Sequence, residues 1–422
     1  MISFMTDGLG ILTDSILSVK NLDLALLYTL AVSLYSYKFE PWEGSDDRIL
    51  LSLVTLLFAF LFCSALFSYF HYGFSPVQIV RGGRHLFLFL SYFFLRKVSV
   101  DDVKWLFRAL MVITAIHSIL YIIQVLTGLP VLMYDLIAEV DPSTKILRYY
   151  NYPVLLPFFL FITVLFGINR NQRYIFLTFV LLGTLFLTLG RTYIFLTLFC
   201  LFMGFIINKE ASQIIRASVI LIIALLPFAG LIFDRFAGED TDEDISVVLE
   251  GGFVDKVGGY SRGGTMEYRL AWVFERALYL SEQPLSENIF GLGMISDGQS
   301  EVVDAMYDFH IGLINDETGS IAQLYTPDIA FGNLLTSYGY VGGVILLLLW
   351  LRLLIVFFKQ KRGDELLICM FLFLLHNILN SISSDTISNT ANLVFPFLLL
   401  PLIYDGNGIN KQIVLKDEDH TY

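Results

Sequence analysis

Residues 49–70, ILLSLVTLLFAFLFCSALFSYF, contain no Asp, Glu, Lys or Arg, and uncharged or nearly uncharged runs of comparable length recur along most of the 422 residues. The hydrocarbon core of a bilayer is about 30 Å thick, and a helix crosses it with about 20 apolar residues. A chain built from such runs buries them in lipid or in one another. With 56% hydrophobic and 16% charged residues and a mean hydropathy of +0.69, the composition excludes an ordinary water-soluble domain and places the chain among all-α polytopic membrane proteins. The runs predict eleven spans, at 22–37, 49–70, 76–95, 105–127, 153–169, 174–190, 192–207, 214–233, 330–358, 365–383 and 390–404. Residues 1–20 are weakly apolar and form either a twelfth span or an interfacial helix. No basic region with a following apolar core and small-residue cleavage site opens the chain, so a removable signal peptide is not expected. Cys63, Cys200 and Cys369 all fall inside apolar runs, which predicts neither a disulfide framework nor a thiolate metal site, and no internal repeat at a fixed period is visible.

Lys and Arg in short connections mark the cytoplasmic side. With the C-terminus inside, that side holds fifteen of them, among them Arg96, Lys97, Lys104, Arg173 and Lys359, whereas the outer connections and N-terminus hold only Lys20, Lys145 and Arg148. Residues 234–329 then form one large extracytoplasmic loop between a first bundle segment, 1–233, and a second, 330–404, with a cytoplasmic tail at 405–422. The loop contains 19 of the 39 acidic residues and 5 of the 27 basic ones, so the formal charge of −12 belongs to it. The acidic run GEDTDEDISVVLE reads as a solvated surface, and a loop so short of clustered bases is not a nucleic-acid partner.

Against this background Arg191 stands out, in the middle of TLFLTLGRTYIFLTLFCLFMGF. The topology puts Gly190-Arg191-Thr192 at a turn near the outer surface, and Arg81, Arg84 and His85, in SPVQIVRGGRHLFLFL, at similar depth. Such charges cost about 2.5–3.5 kcal/mol on insertion scales and face a bundle interior or wet cavity. Snorkelling to lipid head groups is one explanation of each. Three guanidinium groups beside glycine breaks on one side of the membrane suggest an anion site, and arginine's planar fork suits phosphate. A lipid-linked pyrophosphate, a transported anion and a phospholipid head group all fit this chemistry.

Within the loop, residues 266–282 read as an amphipathic helix ending ahead of Pro284, with Arg269, Trp272, Arg276 and Tyr279 on one face and Leu270, Phe274 and Leu278 on another. A helix packed on the bundle, its arginines answered by Glu267 and Glu275, accounts for the same pattern. His376, Asn377 and Asn380 add polar groups to a late span, where they bind sugar hydroxyls or simply join helices.

These motifs, in this order, resemble the O-antigen polymerase and ligase superfamily, the Wzy and WaaL proteins. LTLGRT is similar to that family's outer arginine turn. Arg269, ALYL, Pro284 and FGLG (290–293) resemble its long outer loop, and TPDIAFGNLLTSYGYVGG resembles its loop-to-span junction. The ligase branch has a His-Asn pair about eleven residues before the first glycine of the junction; counting back from Gly339 reaches Asp328, which looks more like the polymerase branch. The resemblance implies a GT-C-like bundle in the bacterial cytoplasmic membrane, acting on undecaprenyl-pyrophosphate-linked oligosaccharides with no cofactor and no metal, among membrane lipids and with a chain-length regulator as a further partner. Arg191 and Arg269 would stabilise the leaving pyrophosphate, supported by Arg81, Arg84 and Arg276. Asp328 would accept the proton of the acceptor hydroxyl, unless it caps the next helix, with His310 as the second choice of base and His376 and Asn380 as substrate ligands. A ligase, a transporter and a non-catalytic scaffold remain the competing expectations.

Overall fold

A computed structural model describes residues 21–39, 48–132, 138–140, 146–168, 171–208, 266–295, 300–313, 321–360, 365–387 and 389–404. The expected span at 214–233, the acidic run at 238–250, residues 1–20 and the tail at 405–422 lie outside them.

The described chain is overwhelmingly helical, compatible with an all-α membrane protein. Three helices are long and apolar enough to cross a membrane: α2 (Arg48–His71), α5 (Val100–Thr127) and α12 (Ala330–Gln360). Shorter apolar helices accompany them: α1 (Asn21–Phe39), α6 (Leu156–Ile162, continued by a π-helical turn at Thr163–Gly167), α7 (Gln172–Leu187), α8 (Arg191–Asn208), α13 (Glu365–Asn380) and α14 (Thr390–Leu398). The 76–95 run is not one helix. It divides into α3 (Pro76–Gly83), a 3-10 segment (Leu86–Ser91) and α4 (Tyr92–Leu95). Ser75 caps α3 reciprocally with Gln78, and Pro76 occupies the first turn, where no amide hydrogen is needed.

α13 packs against α6, α8 and α12, and α12 packs against α2, so these elements share one core. Its largest buried rings include Phe158, Phe159, Trp350, Tyr92 and Tyr338. Large apolar side chains remain exposed on the outside of the bundle, as at Phe62, Phe70, Phe195, Phe202 and Val344.

At one end of the bundle, the described parts of the loop, 266–295, 300–313 and 321–329, sit on the helices and include α9 (Met266–Glu282), α10 (Leu285–Phe290) and α11 (Ser300–Met306). We call this the loop end. The face of α9 that carries the arginines is its buried face: Trp272 and Arg276 are fully enclosed and Tyr268 packs beside them, while Phe274 and Leu278 are exposed. Tyr340 of α12 donates to Ala277 O at 3.4 Å, so that exposed apolar stripe adjoins the outward side of α12 at Tyr340, Val341 and Val344.

Glycines lock this loop to the bundle. Gly291 and Gly293 have φ of +77° and +100°, and Gly339, inside α12, has φ of +65° and kinks it. A Cβ on Gly291 would stand 2.5 Å from Gly339 N, so the two backbones touch. Leu292 N donates to Thr336 O at 2.8 Å and Met294 N to Ser68 Oγ at 2.9 Å, which ties the FGLG turn to α12 and α2. Gly82 of α3 packs equally closely on Met294 and Ile295. His71 Nε2, 3.2 Å from Glu287 Oε1, fastens α10 to the end of α2.

One element is not helical. Strands β1 (Ala138–Val140) and β2 (Leu147–Tyr149) pair antiparallel, with Glu139 opposite Arg148. Gln124 at the end of α5 holds the neighbouring segments: its Oε1 accepts from Val131 N and Leu132 N, and its Nε2 donates to Asn151 Oδ1 at 3.0 Å.

Candidate functional site

Two groups of charged residues lie toward the loop end. The first surrounds the break between α7 and α8. α7 stops at Leu187, and Leu189 then takes φ of +54°, the only positive φ of a non-glycine among the described residues. A leucine in this region is sterically disfavoured, and such strain persists where surrounding structure over-determines it. α8 begins at Arg191. A helix N-terminus presents amide hydrogens and positive potential, so a guanidinium at its first residue gains nothing from the helix. It does add to an anion-binding position.

A second guanidinium reaches the same turn. Arg148, from β2, donates through Nε to Thr188 O at 3.2 Å, stacks on Tyr150 with 4.6 Å to the ring centroid, and would lie 3.6 Å from a Cβ on Gly190. Its charge complements the carbonyl end of α7. Tyr121 reinforces the join by donating to both Tyr149 O, at 2.9 Å, and Leu187 O, at 3.3 Å. Sequence reasoning assigned Arg148 no function. The available signal was its being one of few basic residues on the side where positive charge is scarce.

The second group joins α9 to the start of α12. Arg269 Nη2 lies 3.8 Å from Asp328 Oδ1, and both side chains are mostly buried, 14% and 20% exposed. The segment carrying Asp328 is tied along its backbone. Asn333 Oδ1 accepts from Thr326 N at 3.0 Å, Asn333 Nδ2 donates to Thr326 O at 2.7 Å, and Asp328 N donates to Thr326 Oγ1 at 3.3 Å. Pro327 O accepts from Asp385 N, and Ala330 N donates to Ser381 O, so the same segment is fixed to the turn after α13. Tyr268 Oη lies 3.5 Å from Thr326 Oγ1; burial pushes its phenol above the ordinary value and keeps it a donor.

The remaining expected residues fall elsewhere. Arg276 is wholly enclosed: Nη1 pairs with Glu275 at 2.7 Å, Nε and Nη2 both donate to Gln323 O, and the guanidinium lies over the rings of Trp272 and Phe309 at 4.2 and 4.4 Å. Enclosed in this way, Arg276 clips α9 to Gln323 and Phe309 and lies apart from the Arg269–Asp328 pair. Glu275 also accepts from His310 N and Ile311 N, and His310 Nδ1 stands 3.5 Å from it with the side chain 62% exposed. Glu275 follows Arg269 by six residues, about 9 Å along the helix, so His310 belongs to this clip and not to the Arg269–Asp328 pair. Arg81 is exposed, and Arg84 is half-buried beside His85, whose ring meets Tyr338 edge-on at 6.4 Å.

His376 is buried in the α8–α13 contact, and Asn380 is buried beside the turn that follows α13. Thr197 Oγ1 lies 3.1 Å from His376 Nε2, Tyr193 meets the same imidazole edge-on at 5.1 Å, and Asn380 Nδ2 donates to Thr386 Oγ1 at 2.6 Å. Tyr193 is two residues from Arg191 and Ser381 bonds to Ala330, so the C-terminal end of α13 stands between the two charged groups. Among the described residues no cluster of His, Cys, Asp or Glu is suited to a metal ion. No protein-family model matches this chain, and no curated protein matches it.

Proposed function

We propose that this protein is a membrane-embedded glycan polymerase of the O-antigen polymerase type, taking undecaprenyl-pyrophosphate-linked oligosaccharide repeat units as donor and acceptor. The observation that carries the reading is the contact of Arg269 with Asp328 at the same end of the bundle as the Arg148–Arg191 turn. A carboxylate and clustered guanidinium groups are the two requirements of this transfer.

The acceptor hydroxyl oxygen attacks the anomeric carbon, the bond from that carbon to the pyrophosphate oxygen breaks, and the leaving group departs with the electron pair. Arg191, Arg148 and the N-terminus of α8 hold the pyrophosphate and stabilise the charge that develops on it. Asp328, oriented by Arg269 and by the Thr326–Asn333 bonds, accepts the hydroxyl proton. The exposed stripe of Phe274 and Leu278 suits a loop helix lying at a lipid surface, where a polyprenyl tail stays in the bilayer. The about eleven-span topology, with the loop outside and the C-terminus in the cytoplasm of a bacterial inner membrane, belongs to this reading.

The test is the size profile of surface glycan after deletion of the gene and complementation. Single repeat units on deletion, with polymer restored by the wild type and not by Asp328→Asn or Arg191→Ala at equal protein level, support the reading. An unchanged profile on deletion overturns it, and full-length polymer left on its lipid carrier identifies a ligase instead.

A further inference from the structure

One side of α12 is apolar and open along most of its length. Tyr340, Val344, Leu347, Leu351, Ile355 and Phe358 follow one another at three- and four-residue steps, which keeps them on one face, and all six are exposed. Lys359, also exposed, ends the stripe. From Tyr340 to Phe358 the helix rises about 27 Å, against about 30 Å for a hydrocarbon core, so this face matches a bilayer in length as well as in chemistry. Tyr340 then marks the bilayer boundary at the loop end, the depth at which tyrosines gather in membrane helices.

The loop is fastened at this boundary. Tyr340 Oη donates to Ala277 O of α9 at 3.4 Å, and a Cβ on Gly339 would stand 2.6 Å from Asn288 O and Ile289 O of α10. Around these contacts the loop presents three large apolar side chains outward: Phe274, Leu278 at 50% exposure and Leu285 at 74%. Leu278 adjoins Ala277, Phe274 precedes it by three residues, and Leu285 precedes Asn288 by three, so each lies within about 5 Å of the fastened level along its own helix. Large apolar side chains grouped in the open mark a contact surface.

We propose that Phe274, Leu278 and Leu285 dock the loop end on the bilayer, in contact with lipid at the depth of Tyr340. Continuity selects lipid as the occupant: the three side chains prolong the open apolar face of α12 at the level where that face reaches its membrane length. The docking rests on the membrane class of the chain and not on the glycan chemistry assigned above. It bears on that chemistry all the same. Arg269 is eight residues from Ala277, so it stands no more than about 12 Å along α9 from the boundary, and its pair with Asp328 is within reach of a group borne on a lipid.

The test is depth, measured by electron paramagnetic resonance on protein reconstituted in nanodiscs. Cys63, exposed on α2, is changed to alanine, and a nitroxide is attached at Leu278→Cys or at Leu285→Cys. Val344→Cys is the lipid reference and Asp304→Cys, at an exposed position of α11, the aqueous one. Oxygen concentrates in lipid and a nickel chelate in water. We expect both loop labels to collide with oxygen more often than with the chelate, as at Val344, and the label at Asp304 to show the reverse. A loop label that meets the chelate more often stands in water and overturns the proposal. A loop label that meets neither also overturns it, and identifies a protein cover from a second copy or from this chain. Both loop positions are exposed, so neither substitution removes a packed side chain, and elution at the wild-type volume in size-exclusion chromatography checks this. No substrate enters the measurement. Aqueous labels beside a glycan profile that collapses on deletion would reject the docking and keep the polymerase reading, and lipid-immersed labels beside an unchanged profile would do the converse.

Discussion

Arg269 on the loop helix and Asp328, two residues before α12, approach within 3.8 Å, although one enters the loop's structured part near its beginning and the other closes it. That distance is longer than a hydrogen bond, so this contact is an ion pair that biases the carboxylate's orientation. Asp328→Asn keeps the shape but removes the carboxylate that is proposed to accept the proton. Chain growth in membranes carrying it is expected to fall about 100-fold or more, the usual contribution of a general base. Arg269→Gln is expected to lose a similar amount, and the double variant little more, because both changes disable one unit. Additive losses would assign the two residues independent roles.

The frame around Asp328 predicts a different signature. Asn333, 6% exposed, bonds both the N–H and the C=O of Thr326, and Asn333→Ala leaves two buried backbone groups unsatisfied. We expect about 1–3 kcal/mol lost from unfolding free energy and a larger proportional loss of chain growth than of folded protein. Thermal unfolding in detergent beside a polymerisation assay separates these effects.

Arg148 shares the turn of Arg191, and Arg148→Ala is expected to reduce polymer formation about 10²- to 10³-fold, as removal of a preorganised donor does. Arg148→Lys, which keeps the charge but loses the fork that reaches Thr188 O while stacking on Tyr150, should recover only part of that. Full activity in Arg148→Ala would remove it from the site.

Arg276 and His310 should behave as structure and not as chemistry. Arg276→Met removes the ion-pair partner of Glu275, which keeps the His310 and Ile311 amides, and strands the Gln323 carbonyl, and should cost about 3–5 kcal/mol, read as earlier thermal unfolding and cleavage of the loop by protease. His310→Ala, at an exposed side chain, should leave polymer length within about twofold.

At Gly291 and Gly339 the backbones touch and φ is positive, so Gly291→Ala and Gly339→Ala each force a Cβ to within 2.5–2.6 Å of backbone atoms. The expected outcome is loss of folded protein, visible as a collapsed yield in size-exclusion chromatography. Gly343, with nothing within 4 Å of its Cβ position, should accept alanine and serves as the control.

The apolar runs made the helical membrane class legible, because crossing a bilayer imposes a length and a composition on each contiguous segment. The break ahead of Arg191 was legible too, since Gly190 and a lone charge interrupt an apolar run. The side of α9 that faces inward was not. Its pattern places Arg276 and Phe274 on different faces, yet amphipathicity alone does not say which of them meets the bundle. In the structure the face carrying Tyr268, Trp272 and Arg276 turns inward, where Glu275, Gln323 O and two aromatic rings receive Arg276, and Phe274 and Leu278 turn out.

Local sequence therefore determined where helices form and where a charge interrupts them, since propensity, capping and hydrophobic length act over a turn or a span. Which charges meet was decided by tertiary structure alone. The Arg269–Asp328 pair and the arrival of Arg148 at the Arg191 turn depend on how the loop, the hairpin and the helices pack. Those contacts join residues far apart in sequence, and no local periodicity encodes them.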